Sequence, residues 1–414
     1  FKQKTAYEIR LSLVGSEMCI RDRITVALDQ LSATGGTRGA LLSNVSGSFS
    51  VTGTGSTAGS GGTISGSSAR GIDISGTGVL AVTLRNMNLT SACATNGTAS
   101  ATANAAANAA LFLNTVQNVV LDNLSINGSE HNGINGNNVT NLSLSNSTVQ
   151  NCGDEALEHG LFFVNLLGDC SFRGLTVQNN GASAARVYND AGTLSLLRVN
   201  GSTFTSTENR AFVDSAFRLE TAGTAIATVA ASGCTFQKAQ NTVDTSMNAD
   251  FFVAGFTAVA VGTSSLNLTI QRSTVTDNAR GIWVRAPSGS ATVRLRLEDN
   301  DVRFCEFNAI QLFQIGAGTM TGAVHNNRVG ISGTAISASR SSNVIEISGN
   351  NGGVTPPGPA TGSIDVDVTN NTLVECTNVM VNITSSNSVD LNAFVNGNQT
   401  VSYTHLTLPT NREV

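Results

Sequence analysis

One short phrase recurs along the chain, always in the same sense: an apolar alternation, Asn or Gly, two small residues, then one closing apolar residue. Examples are Leu121-Asp-Asn-Leu-Ser-Ile126, Leu144-Ser-Asn-Ser-Thr-Val149, Phe172-Arg-Gly-Leu-Thr-Val177 and Val324-His-Asn-Asn-Arg-Val329. The closing residues are Leu89, Ile126, Val149, Val177, Phe204, Phe236, Val275, Val302, Val329 and Leu373. They stand 37, 23, 28, 27, 32, 39, 27, 27 and 44 residues apart, and a degenerate copy at Ile345–Asn350 is read as halving the last gap. A period in this range marks a stacked repeat, in which each unit buries its apolar face only against its neighbours.

A second phrase lies between the copies: Gly71-Ile-Asp-Ile74, Gly133-Ile134, Gly281-Ile-Trp-Val284 and Ala309-Ile-Gln-Leu312. Each unit thus holds two or three short period-2 strands separated by Asn- and Gly-rich bends, with no 3.6-residue spacing. A coil of three short strands per turn fits, with strands of successive coils pairing in parallel about 4.8 Å apart. Equivalent positions then stack. Asn300, Asn327 and Asn371 fall in one column, where amides can hydrogen-bond along the axis. Cys152, Cys305 and Cys376 each follow a closing residue by three positions, as small fillers of an inner stack. The competing fold is an antiparallel sandwich with Asn-Gly hairpins, but hairpins reverse direction and give no reason for a phrase to recur in one sense.

Composition agrees. With 42 Gly, 12% charged residues and many β-branched residues, the chain is unsuited to helices, and 40% hydrophobic content is too high for a disordered tail. No stretch approaches the roughly 18 apolar residues of a membrane span. Residues 24–400 hold 16 Arg and 1 Lys against 24 acidic residues, a net charge of −7 without clustered positive charge. Nucleic acid is therefore not an expected partner. The six cysteines of that stretch form no close CxxC pair, so neither a zinc knuckle nor a thioredoxin-type site is expected.

Residues 1–23 and 401–414 differ from the rest. The segments Lys2–Ile9, Ser12–Asp22 and Val401–Thr410 resemble translated sequencing-library adapters, so both ends are set aside as not native. The expectation is one solenoid over residues 24–400, cut at both ends. Within it the Gly-Ile phrase, the Asn-rich bend and the period resemble right-handed parallel β-helix repeat proteins of the pectate-lyase-like architecture. The phrases Leu41–Gly55 and Gly192–Phe204 are similar to β-helix segments of very large bacterial secreted or cell-surface proteins, many of them adhesin-like. The resemblance implies an all-β, single-stranded right-handed parallel β-helix. Roughly 13 rungs at about 4.8 Å each would make it about 60 Å long. Stretches Ala94–Ala110, Val243–Gly262 and Gly352–Gly362 break the period and are expected as loops, a short helix being the alternative for the first.

The fold hosts lyases, hydrolases, adhesins and spacers, so function must come from a site. Cleaving a polysaccharide needs converging carboxylates helped by Arg or a metal. The sequence names no catalytic residue. Its best cluster is Asp154, Glu155, Glu158 and His159, followed by Arg186 and Asp190, then Arg210 and Asp214. Glu158, Arg186 and Asp214 are spaced by 28 residues, which predicts a charged ladder, and the plain reading of such a ladder is an ion-pair stripe. The hydrolase motifs of the resembling family are absent: there is no Asn-Thr-Asp, no Asp-Asp and no Gly-His-Gly, with Glu158-His159-Gly160 a partial echo. The pairs Asp299/Asp301 and Asp365/Asp367 are weak Ca²⁺ candidates, since that ion takes six or more oxygens; otherwise no cofactor is indicated. His131 and His325 sit in polar turns and are expected to be exposed. Trp283 should face outward beside Arg285, either stacking on a sugar or packing under a loop.

The expectation is a structural or adhesive segment at the bacterial surface or outside the cell, touching polysaccharide or a neighbouring or host cell surface. The alternative is a carbohydrate-active enzyme, lyase before hydrolase.

Overall fold

The computed structural model describes residues 23–98, 100, 102–206, 214–239, 253–349, 362–385 and 389–401. Arg23 and Val401 belong to strands; the rest of the two segments set aside as adapter-like lies outside the described residues. The described residues are all-β, with no helix, so those of the stretch 94–108 form an irregular connection and not a short helix, while Ala109 and Ala110, expected as loop, open the strand Ala109–Asp122. None of their elements is a helix able to cross a membrane.

Every pairing between strands is parallel, which removes the sandwich alternative and is consistent with a parallel β-solenoid. Three ladders run along the molecule. The first is traced by Leu161, Ala185, Phe217, Phe256, Ile282, Ile310, Ile345 and Val381. The second is traced by Phe172, Val199, Ala231, Ile270, Leu297, Val324, Val368 and Val395. Four long strands, Arg38–Val51, Arg70–Arg85, Ala109–Asp122 and Asn132–Ser145, pass from the first ladder into the second and join them as one 21-stranded sheet.

The third ladder is a separate 13-stranded sheet of very short strands, and its inward column is the set of closing residues. From Leu89 to Leu373 each closing residue is the register partner of the next. The 44-residue gap is not halved by a copy at 345–350: Val329 pairs directly with Leu373, and Ile345–Ser348 belongs to the first ladder. That gap is one coil lengthened by two insertions. Likewise Phe256–Gly262, expected as loop, is a first-ladder strand, while 240–252 and 350–361 lie outside the described residues.

The repeated Asn or Gly has a conformational cause. The bend between the second and third ladders places one residue in the left-handed region, as at Asn86, Asn123, Asn146, Asn326 and Asn370, with φ between 49° and 57°. Asn and Asp tolerate this region through local hydrogen bonding, and glycine has no Cβ to clash. Arg272 occupies the same bend at φ 48° and has neither advantage. Arg272→Gly is therefore expected to raise stability by about 1 kcal/mol, despite losing the exposed Arg272–Ser232 hydrogen bond. A urea midpoint no higher than the parent's would refute the strain assignment.

The glycine of the Gly-Ile phrase has a different cause. A Cβ on Gly133 would stand 2.7 Å from the Gly160 carbonyl, and one on Gly281 2.7 Å from Val302 Cγ1, so the chain turns into the first ladder through space only hydrogen can occupy.

Inside, the columns pack as a continuous apolar core. Asn300 Nδ2 donates to Asn327 Oδ1 at 3.0 Å, and Asn327 Nδ2 to Asn371 Oδ1 at 3.0 Å. Asn398 extends this column beyond the sequence reading. Cys305 and Cys376 share a column through Ser339, and all six cysteines of the described residues are free thiols. Burial pushes Cys152 up to about 12 and Cys170 up to about 11, which keeps both thiols protonated and inert near neutrality.

Candidate functional site

The connections from the third ladder to the first are the longest in the coil, so loop-borne residues gather beside the outer face of the first ladder. Along that face Phe162, Arg186, Arg218, Thr257 and Trp283 are successive register partners. Their alternation with inward Leu161, Ala185 and Phe217 turns them away from the core, yet Phe162, Arg186, Thr257 and Trp283 are almost wholly buried. A charged side chain in such a place must be paired or neutral.

Arg186 is paired, though not as the 28-residue spacing predicts. Its register partner is Arg218, 32 residues on, and neither Glu158 nor Asp214 stands in its column. Its guanidinium meets Glu220 Oε1 through Nη2 at 2.9 Å and Nε at 3.0 Å. Arg218 bridges Glu220 to Asp214, the latter at 2.7 Å. Burial by itself would raise the Asp214 carboxyl, but Arg218 and Arg186 outweigh it and hold the group below its ordinary range. Two arginines and two carboxylates thus neutralise one another. Arg186 also lies 5.4 Å from the Phe162 ring centroid, and its Nη1 has no hydrogen-bond partner among the described residues. Arg210 falls outside the described residues, and Asp190 is exposed, its amide bound to Asn165 Oδ1.

Glu158 serves the loop instead. Fully buried, its Oε2 accepts the backbone N–H groups of Asp154 (2.6 Å) and Glu155 (2.8 Å), so the two exposed acids are bound through their backbone and do not converge with it. Asn96, from the 91–108 connection, reaches Glu158 Oε1 at 3.2 Å and the Glu130 carbonyl at 2.7 Å through its amide nitrogen. His131 Nε2 lies 3.7 Å from the same Oε1. His131 is therefore buried and not exposed in a polar turn, because a connection too long for the repeat closes over it. His325 is half-buried, its Nδ1 2.9 Å from Thr369 Oγ1. His159 is also sealed, accepting the Ser183 N–H at Nδ1, with no partner for Nε2 among the described residues; burial and then Arg186 drive its imidazole well below the ordinary range.

Burial pushes His131 down to about 4, against weaker opposing pulls from the Asn108 backbone and Asp154. At this histidine the unfolded chain holds more protons than the folded one between about pH 6.5 and pH 4, so its contribution to stability is lost as pH falls through that window and levels off below it. The full shift amounts to about 3 kcal/mol. His131→Gln should make the urea-midpoint profile less steep between pH 6.5 and 4, with the sealed His159 supplying part of the slope that remains; an unchanged slope would show that His131 does not titrate there.

The remaining candidates do not assemble. Trp283 is 4% exposed, with Arg280 and Arg285 each 4.4 Å from its ring centroid, so it packs under cover and offers no open ring to a sugar. Asp299 sits in an exposed bend and accepts from Asn326, while Asp301 lies 3.6 Å from Arg303. Asp365 and Asp367 are exposed on the second ladder, Asp365 bonded to Asn392 at 3.0 Å. Among the described residues no three His, Cys, Asp or Glu side chains group to hold a metal. Glu220 and Arg218 escaped the sequence reading because counting a fixed period ignores insertions before the first ladder. Compared with protein-family models, with curated proteins and with solved structures, the chain matches none.

Proposed function

We propose that the chain is a structural and adhesive segment of a bacterial secreted or cell-surface protein, built as a right-handed parallel β-helix of roughly 13 rungs. The observation that carries this reading is the unbroken register of the closing residues, which gives a stiff rod of similar coils. The phrases at Leu41–Gly55 and Gly192–Phe204 support the surface location by their resemblance to adhesin-like segments. The charged cluster supports a structural role, since Glu220 and Asp214 are engaged by arginines and Glu158 by backbone amides.

The rival reading, a polysaccharide lyase before a glycoside hydrolase, keeps one observation in its favour: Arg186 Nη1 and His159 Nε2 are buried without hydrogen-bond partners among the described residues. Incubating the chain with acidic and neutral polysaccharides and assaying unsaturated and reducing ends separates the two. No release is expected. Cleavage that disappears in Glu158→Gln or Arg186→Ala would replace the adhesive reading with the enzymatic one.

A further inference from the structure

The outer surface of the third ladder differs from both other faces. Eight consecutive strands, at 63–65, 88–90, 125–127, 148–150, 176–178, 203–205, 235–237 and 274–276, each turn one apolar residue inward and two residues to the other side, where Thr205 and Thr276 are buried and the rest reach solvent. Every outward position in this run is Ser, Thr, Asn or Gln. The second ladder, by contrast, presents Arg198, Arg294, Arg296, Asp365 and Asp367. Charge enters the third ladder at Asp277, which ends the eighth strand and accepts from Thr276 at 3.1 Å, and beyond this run at Asp301, Arg303 and Arg328.

Register makes this face a two-rank array. Thr148, Thr176, Thr203, Thr235 and Thr274 stack in one rank. Gln150 and Gln178 head the other, linked by an amide–amide bond of 3.0 Å. The ranks repeat about 4.8 Å along the axis and stand about 6.6 Å apart along each strand. The threonine rank is half-buried and open to solvent from above.

We propose that this face docks an extended, uncharged polysaccharide lying along the solenoid axis. The charge match is neutral to neutral: two ranks without ionic groups along eight strands give no Coulomb attraction to acidic or basic polymers and exact no ionic desolvation from a neutral one. Hydroxyls and carboxamides both donate and accept, as sugar hydroxyls do. An extended chain of β-linked sugars rises per residue by close to the strand spacing, so each coil meets one sugar in similar register. Single contacts of this kind are weak, and repetition along a rigid array sums them. The inference rests on the adhesive reading and adds to it the face and the ligand class.

The test is co-sedimentation of the chain with microcrystalline cellulose, chitin and insoluble calcium polygalacturonate. The parent should sediment with at least one neutral polymer. Thr176→Lys/Thr203→Lys should lower its apparent affinity tenfold or more, while Thr176→Gln/Thr203→Gln and Thr269→Lys on the second ladder leave it intact. Both altered threonines are half-exposed, and an unchanged urea midpoint establishes that each variant is folded. Binding that survives the lysine pair overturns the face assignment and leaves the adhesive reading standing. Sedimentation with polygalacturonate alone, or with nothing, overturns the ligand class. Self-association abolished by the lysine pair, without polymer binding, assigns the face to a second copy of the chain. Release of sugar ends would overturn the adhesive reading itself, whichever face binds.

Discussion

Phe236→Ala is expected to cost about 4 kcal/mol and to be among the most destabilising single truncations in the molecule. The Phe236 ring lies fully buried between coils, stacked on Phe204 at 5.7 Å and edge-on to Phe256 at 5.2 Å and Phe217 at 6.1 Å. Phe217 in turn stacks on Phe256 at 5.1 Å. Four rings from two ladders therefore interlock, and removing one leaves a cavity that strands fixed by their hydrogen-bond register cannot collapse to fill. Aromatic contacts of this geometry add to the transfer term. Phe236→Leu keeps most of the volume and should cost only about 1 kcal/mol. Phe394→Ala, at a ring 57% exposed, should change stability by no more than about 0.5 kcal/mol. Urea midpoints of the three variants give the comparison, and equal losses for Phe236→Ala and Phe394→Ala would sink the packing argument.

Glu220→Gln is the second large effect, at about 3 kcal/mol. Among the described residues Glu220 is the carboxylate that Arg186 touches, and it also engages Arg218. Removing its charge leaves Arg186 buried and unpaired, while Arg218 keeps Asp214. The penalty is the desolvation of an uncompensated guanidinium, so it belongs to the pairing and not to carboxylates in general. Arg186→Met/Glu220→Leu, which removes both charges and keeps the bulk, should recover most of the loss. A double variant no more stable than Glu220→Gln would show that the pair contributes through something other than mutual neutralisation. The same measurement bears on function, because a cluster held only for structure tolerates this replacement.

The repeat phrase determined ten consecutive strands of the third ladder: its closing residues, read from the linear order, are the register partners of one another from Leu89 to Leu373, while the strands at 33–34, 62–65 and 399–401 escaped it. Three local requirements make that column legible. A buried apolar residue must recur, the left-handed bend before it selects Asn, Asp or Gly, and the stacked amides at Asn300, Asn327 and Asn371 need like residues at like positions. The first ladder was less legible, because insertions of differing length precede it and a fixed count drifts. Hence Arg186 was matched with Glu158 and Asp214 when its neighbours are Arg218 and Glu220. Burial on that outer face was invisible for a related reason. Alternation tells which side of a strand Trp283 takes, and it says nothing of what lies over that side. Whether His131 meets water depends on where the 91–108 connection closes, which is a matter of contacts between coils. Sequence thus determined the strands, the bends and the direction of stacking, since these depend on neighbours within one turn. Tertiary structure alone decided which charges meet and which rings are covered, because those contacts join coils through loops whose length obeys no period.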